Sequence, residues 1–343
     1  MGDIAKGVLG GAWTLLVGWV LPAGLNLSVF FFAVAPSLRD TDSVARLWPT
    51  TGSGVTLLLL AGAVLFGLVL SALQNPLYRI LEGYLLWPGR AYEHACARRR
   101  QSKWDLQDRL MLLRLQRRAH QPEGQLAVLA AADLARLSQH PRIARAVRKD
   151  RRRTAVQRAL LREKLARYPV DDGQIAPTRL GNAIRRFEEY GYDRFHLDTQ
   201  VLWNELTGTA PEQVRRQVDL ARANVDFFVA LLAGHAAVAG TAVATLASAR
   251  GDATVLLATA AVLGCMIPVW YRSAVTATDE WAASVRALVN TGRKPLAEAL
   301  GLALPPDLKG ERTMWTLVGK LSQLPYHDRA AALDPYRVGP PAL

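Results

Sequence analysis

His235 is the only histidine inside a stretch free of Asp, Glu, Lys and Arg, Phe227 to Ala249. An ionisable ring at membrane depth is costly; it serves a proton relay or a pore wall, or it sits neutral in a hydrogen bond. Thr241, Thr245 or a backbone carbonyl would supply that bond. The neutral role is favoured because no acid shares the stretch, and the same absence argues against a proton pump. Asp226, beside Asn224 at the edge of the stretch, has the charge to draw a cation to a pore mouth. A helix-terminal charge or a salt bridge to Arg222 explains it more simply. His94 and Cys96 are two metal-ligand types, but no second pair stands at zinc-site spacing, so no metal is expected. Gly319-Lys320-Leu321 lacks the glycine spacing and hydroxyl of a phosphate loop, and Gly52-Ser53-Gly54 lacks the nucleophile-elbow pattern. No catalytic residue and no cofactor can be named, which makes an enzyme the least supported class.

Cationic chemistry is concentrated instead. Arg98, Arg99 and Arg100 form one run, and Lys149, Arg151, Arg152 and Arg153 form another within the basic stretch Arg142 to Arg167. A solvated face is the plainest explanation. Attraction to anionic lipid headgroups, at ~1 kcal/mol per well-placed cation, comes next. Nucleic acid is the weakest partner, because aromatic side chains for base stacking are sparse there.

The elements that position these residues follow from the charge map. The chain has 343 residues and a net charge of +13. Residues 7–38, 47–78, 227–249 and 253–271 carry no Asp, Glu, Lys or Arg. Each stretch meets the roughly 20 apolar residues that a bilayer crossing takes. The expected fold is therefore all-α. Two N-terminal crossings, at about 8–35 and 55–75, are followed by a helical body over 79–226 and a crossing hairpin at about 227–249 and 253–271. Cytoplasmic helices and an unstructured end occupy 272–343. Segment 79–226 holds 29 Lys and Arg against 18 Asp and Glu. Positive-inside bias puts that body and both termini in the cytoplasm of a bacterium, under its inner membrane. Ala33-Val34-Ala35 has the form of a signal-peptide cleavage site, but the apolar run is far longer than a signal-peptide core and Pro36 follows, so a retained helix is expected. Cys96 and Cys265 then sit in different compartments, and no disulfide is expected.

Within the crossings, Pro22 predicts a kink, with polar Asn26 just beyond it. Asn26, His235 and the glycines Gly62 and Gly67 of the second crossing are the candidates to line a pore or pack in the membrane. Ala236, Gly240 and Ala244 form a small-residue ladder expected to pack helices closely. Residues 77–100 read as an amphipathic segment on the inner leaflet. Thr209-Ala-Pro-Glu212 fits a capping box, after which helical spacing runs straight into the third crossing. The fourth crossing likewise continues inward through Val275, Trp281, Val285 and Leu288, so the hairpin should project from the bilayer. Gly292, Pro295, Gly301 and Pro305-Pro306 should break the remainder.

One segment has a distinctive order: Pro177-Thr178-Arg179-Leu180-Gly181-Asn182, followed by Tyr190-Gly191-Tyr192, Leu197-Asp198 and Trp203. It resembles a set of uncharacterised actinobacterial multi-pass membrane proteins with a P-T-R-L-G-N segment ahead of a Tyr/Trp-containing helix. The resemblance covers roughly residues 170–230 and implies no activity. Thr178 and Asn182 can cap helix ends, Gly181 permits an unusual φ, and Arg179 can bridge to Asp198 or Glu188; a structural corner accounts for all of it. The order of crossings, helical block and crossings is also similar to the layout of bestrophin-type anion channels, in topology only. Two functions are then expected. One is a homo-oligomeric channel with a basic vestibule. The other is a membrane-anchored signalling or anti-phage defence component whose body binds a protein or nucleotide partner.

Overall fold

Among the described residues, helices account for all the regular structure except one antiparallel bridge between Leu302 and Arg337. The computed structural model describes residues 11–39, 45, 51–119, 125–141, 143–145, 154–248, 251–323 and 328–337. Four helices are long and apolar enough to cross a membrane: Gly11–Leu38 (α1), Gly52–Ala72 (α2), Glu212–Ala247 (α10) and Ala253–Ala299 (α11). Between them lie α3 (Gln74–Glu82), α4 (Gly89–Ala119), α5 (Gln125–Ser138), α6 (Thr154–Ala166), α7 (Arg179–Glu188), α8 (Tyr190–Phe195) and α9 (Trp203–Thr209). The last α-helix, α12, spans Leu308–Gln323, and a 3-10 helix at Asp328–Tyr336 follows it. The chain divides into two compact units, one of residues 81–189 and one of residues 1–80 with 190–343. Segment 190–226, which charge alone groups with 79–189, thus clusters with the long helices.

The kink expected at Pro22 takes the form of a change of helix type. Leu16–Val20 and Phe30–Val34 are π-helical, and each ends two residues before a proline, Pro22 and Pro36. Leu21 N–H reaches back to Leu16 O, and Ala35 N–H to Phe30 O. A five-residue register adjusts the ladder where proline removes a donor, so α1 stays one continuous rod. α1 packs on α2, α10 and α11, whereas α2 packs mainly on α1. At the far end of α1, Val34, Val238, Ala242, Leu256 and Leu263 close a dry core.

The hairpin arms run well past their apolar windows. At 1.5 Å per residue, the 36 residues of α10 make ~54 Å and the 47 of α11 make ~70 Å, against ~30 Å of hydrocarbon. α11 passes through Gly292 and Pro295, which were expected to break it, and ends at Leu300 before Gly301 at φ +71°. Its lower end holds α9 through Leu206, packed beside Gly292. α12 is pinned by Glu311, which pairs with Arg293 and accepts from the Trp315 indole. The expected capping box does not form. Thr209 Oγ1 donates back to Glu205 and Leu206, ending α9, and α10 starts at Glu212 with no side-chain cap. Helix α9 itself starts at Trp203.

In the 81–189 unit, α4 packs against α5 and α6 around Leu110, Leu112, Leu113, Ile143 and Leu161. The amphipathic segment expected over 77–100 is two helices separated by a loop at 83–88, where Leu86 is 83% exposed with φ +62°. Lys103 is buried with its ammonium on Val170 O at 2.7 Å and on Asp172 at 2.5 Å. The Trp104 indole donates to the other Asp172 oxygen at 2.8 Å.

Candidate functional site

The densest convergence of polar side chains in the larger unit surrounds Asp226. Its Oδ1 accepts from Tyr78 Oη at 2.8 Å and from Gln74 Nε2 at 3.1 Å, and the Trp19 indole also hydrogen-bonds to the carboxylate. Three elements deliver these groups: α1 brings Trp19, α3 brings Gln74 and Tyr78, and α10 brings Asp226. Gly18 makes the approach of α1 to α10 feasible, since a Cβ there would stand 3.2 Å from Asp226 Cβ and 3.4 Å from Ala223 O. The carboxylate borders an open cleft of ≈ 270 Å³ that is also lined by Thr14, Ser71, Asp219 and Arg222. Of the two simple explanations of Asp226, the helix-terminal charge fails and Arg222 acts through its nearby charge and not through a close ion pair. Asp226 lies fourteen residues into α10, away from the helix start, and Arg222 stands over the Trp281 ring at 5.9 Å without an ion pair to Asp226. Burial works against this carboxylate, and the nearby Arg222 charge and the hydrogen bonds from Tyr78, Gln74 and Trp19 offset it. The sequence signal for it was the acid at the edge of an apolar window; its donors lie roughly 150 to 200 residues away and carried none.

Farther along the bundle, Asn26 and His235 form a second polar pair. Asn26 is 1% exposed; its Nδ2 donates to Pro22 O at 2.8 Å, which turns Oδ1 toward His235 Nδ1 at 2.7 Å. Because that oxygen only accepts, Nδ1 carries the ring proton. Gly234 leaves the room, as a Cβ there would overlap the Asn26 carboxamide. The Trp270 ring stands edge-on to the imidazole with centroids 5.9 Å apart. Thr241 and Thr245 bond their own helix backbone instead, so His235 is partnered by Asn26 and the Leu231 backbone, and by neither threonine.

The glycines of α2 are packing positions. A Cβ on Gly67 would come within 2.8 Å of Val20 Cα, and one on Gly62 within 2.6 Å of Leu27 Cδ2. The small-residue ladder is on the other side of its helix from the expectation. Ala236, Gly240 and Ala244 are exposed, and nothing lies within 4 Å of a Cβ at Gly240. The α10 stripe turned inward is Leu231, Gly234, Val238, Ala242 and Thr245.

The P-T-R-L-G-N segment is a closed corner. Thr178 caps α7 by accepting from Gly181 N at 2.9 Å and donates to Glu82 O at 3.1 Å. Asn182 holds both the N–H and the C=O of Ala176. Gly181 has ordinary helical backbone; what it supplies is space, with Glu82 O 2.6 Å from where a Cβ would stand. Gly83, at φ +96°, packs under Pro177. Arg179 is exposed on α7, and Trp203 is half-buried at the start of α9. Arg99 donates to Pro177 O at 3.2 Å, tying the arginine run to this corner, while Arg98 is exposed and Arg100 half-buried. Lys149, Arg151, Arg152 and Arg153 lie outside the described residues.

His94 is exposed and Cys96 buried, as residues two apart on a helix point to different sides, so they cannot share a metal. Burial also pushes the Cys96 thiol above its usual range, the opposite of an activated nucleophile. No group of three metal-ligating side chains occurs among the described residues. Comparison of the chain with protein-family models, with curated proteins and with solved structures finds no match.

Proposed function

We propose that the chain is a membrane-anchored component, in a bacterial plasma membrane, whose helical parts outside the bilayer receive a protein or nucleotide partner. One observation carries this reading. Asn26, Gly62, Gly67 and His235, the residues with the best claim to a pore wall, are all used in contacts among the chain's own helices. The basic body and both termini belong on the cytoplasmic side, where the +13 excess meets the anionic inner leaflet. The unbroken arms of α10 and α11 supply a stiff connection from the bundle to the helices that would bind the partner.

A homo-oligomeric pore is the second reading, favoured by the exposed Ala236, Gly240 and Ala244 ladder and by the largely uncovered surface of α2. Any conduit would then run between copies, with Leu57, Leu60, Leu65 and Leu68 at the contact or in the wall. Reconstitution into liposomes loaded with a halide-sensitive dye separates the two. The anchored component gives no halide leak at either sign of membrane potential. A leak that grows with protein-to-lipid ratio, and is absent from empty vesicles, overturns it in favour of the pore.

A further inference from the structure

α12 presents a face that the membrane bundle does not use. Lys309, Arg312, Thr316 and Lys320 recur there at helical spacing and, with His196 and Leu317, line an open groove of ≈ 590 Å³. The opposite face of the helix, Met314, Trp315 and Val318, is buried, which fixes the direction of the cations. Glu311 is the only acid in α12, and it is turned inward onto Arg293, so it does not neutralise the groove. Neither Lys309 nor Lys320 has an ion-pair partner among the described residues.

The groove is also pre-shaped. Arg312 is held by the carbonyls of Arg194 at 3.1 Å and Asp193 at 3.3 Å. His196 sits at φ +59°, a left-handed conformation uncommon outside glycine, with its ring stacked on Tyr192 at 5.3 Å. Its Nδ1 meets Thr316 Oγ1 at 3.2 Å, and that hydroxyl spends its hydrogen on Arg312 O at 2.8 Å. Thr316 therefore accepts and Nδ1 carries a proton, which fixes the ring at the edge of the groove.

We propose that this groove binds a soluble molecule carrying two or more phosphate groups. Guanidinium and ammonium groups with no competing carboxylate suit phosphate oxygens. Lys309 and Lys320 are eleven residues apart, ~16 Å along the helix, so a single phosphate would reach one end only. A lipid headgroup is disfavoured by distance. Tyr190, at the head of α8, bonds Asn290 of α11 at 3.1 Å, and Asn290 lies ~28 Å along that helix from the end of the apolar window at Tyr271. The inference rests on the anchored-component reading and names the chemistry of its partner.

The test is calorimetric titration of the full chain in neutral detergent at low salt, with inorganic tripolyphosphate, with orthophosphate, and with phosphatidylglycerol vesicles. Expected is saturable one-to-one binding of tripolyphosphate, about tenfold tighter than orthophosphate and weakened about tenfold in Lys309→Gln/Lys320→Gln. Arg215→Gln/Lys294→Gln removes the same charge elsewhere and should leave it unchanged. Thermal unfolding of each double variant verifies that it is folded. Absence of saturable binding, equal binding by Lys309→Gln/Lys320→Gln, or a preference for the vesicles overturns the proposal. A halide leak would overturn the anchored component alone, and a silent titration without leak would overturn the groove alone.

Discussion

At the scale of single residues, the Asp226 cluster is where a small change should be felt most. Replacing Asp226 with Ala strips the acceptor from Tyr78, Gln74 and Trp19 at once and leaves donors buried, at a cost of about 2 kcal/mol. Asp226→Asn keeps an oxygen for Tyr78 and Gln74 and should lose less than half as much. Chemical unfolding in detergent measures both, and equal losses would mean the charge itself is what the site needs. A pH effect belongs to Asp172 in the other unit. Hydrogen bonds from Lys103 and then from Trp104 hold its carboxyl below the usual range. A lowered acid contributes stability that is fully present above its unfolded pKa and lost as pH falls through the lower folded value. The chain should therefore lose stability in mild acid, below about pH 4, and Lys103→Met should flatten that part of the profile. Unfolding curves from pH 6 to pH 3 decide; an unchanged slope in Lys103→Met rules the pair out as the cause. His235 could be picked out of the sequence because a lone imidazole stands out in an apolar run. Its partner Asn26, 209 positions earlier, could be flagged as polar but not paired.

At the scale of elements, the positions of the long apolar helices were legible because long uncharged windows have few alternatives. Their packing was not. A spacing of four places Ala236, Gly240 and Ala244 on one stripe of a helix, yet it does not say which stripe is covered; α1 and the hairpin partner cover the opposite one. Gly62 and Gly67 showed the converse, glycines of a plain apolar helix that turn out to set its distance from α1. The long reach of α10 was legible from apolar spacing continuing upstream of Asp226, whereas the false capping box shows how a matching tetrapeptide gives way to hydrogen bonds of the preceding helix. These contacts give opposite expectations for two identical substitutions. Gly67→Val must push Val20 away and should cost about 1–3 kcal/mol. Gly240→Val meets open space and should leave the stability of the chain unchanged. If copies associate through the ladder, Gly240→Val lowers the oligomer mass by size-exclusion light scattering while Gly67→Val does not. Equal destabilisation by both would contradict the packing of α2 on α1.

At the scale of the whole molecule, the decisive quantity is the parity of the crossings. If all four apolar helices cross, the chain returns to its starting side and the tip between α10 and α11 faces away from α12. Ser248, at the exposed end of α10, and Gln323, at the exposed end of α12, report the two sides. Cys96 is buried and Cys265 lies in an apolar helix, so replacing both by Ser gives a background on which single cysteines can be placed. A membrane-impermeant maleimide applied to intact spheroplasts should label Ser248→Cys and spare Gln323→Cys; inverted membrane vesicles should reverse the pattern. The charge argument adds an expected sign to the parity, because positive-inside bias favours the inner side for residues 79–226, with 29 cations against 18 acids. Labelling of both positions from one side would show that one apolar helix lies in the interface or packs against protein. α2 is the helix to suspect then, since it packs mainly on α1 and exposes most of its surface. Labelling with the sides exchanged would keep four crossings but place the basic body outside, and the groove on α12 would then face extracellular phosphates.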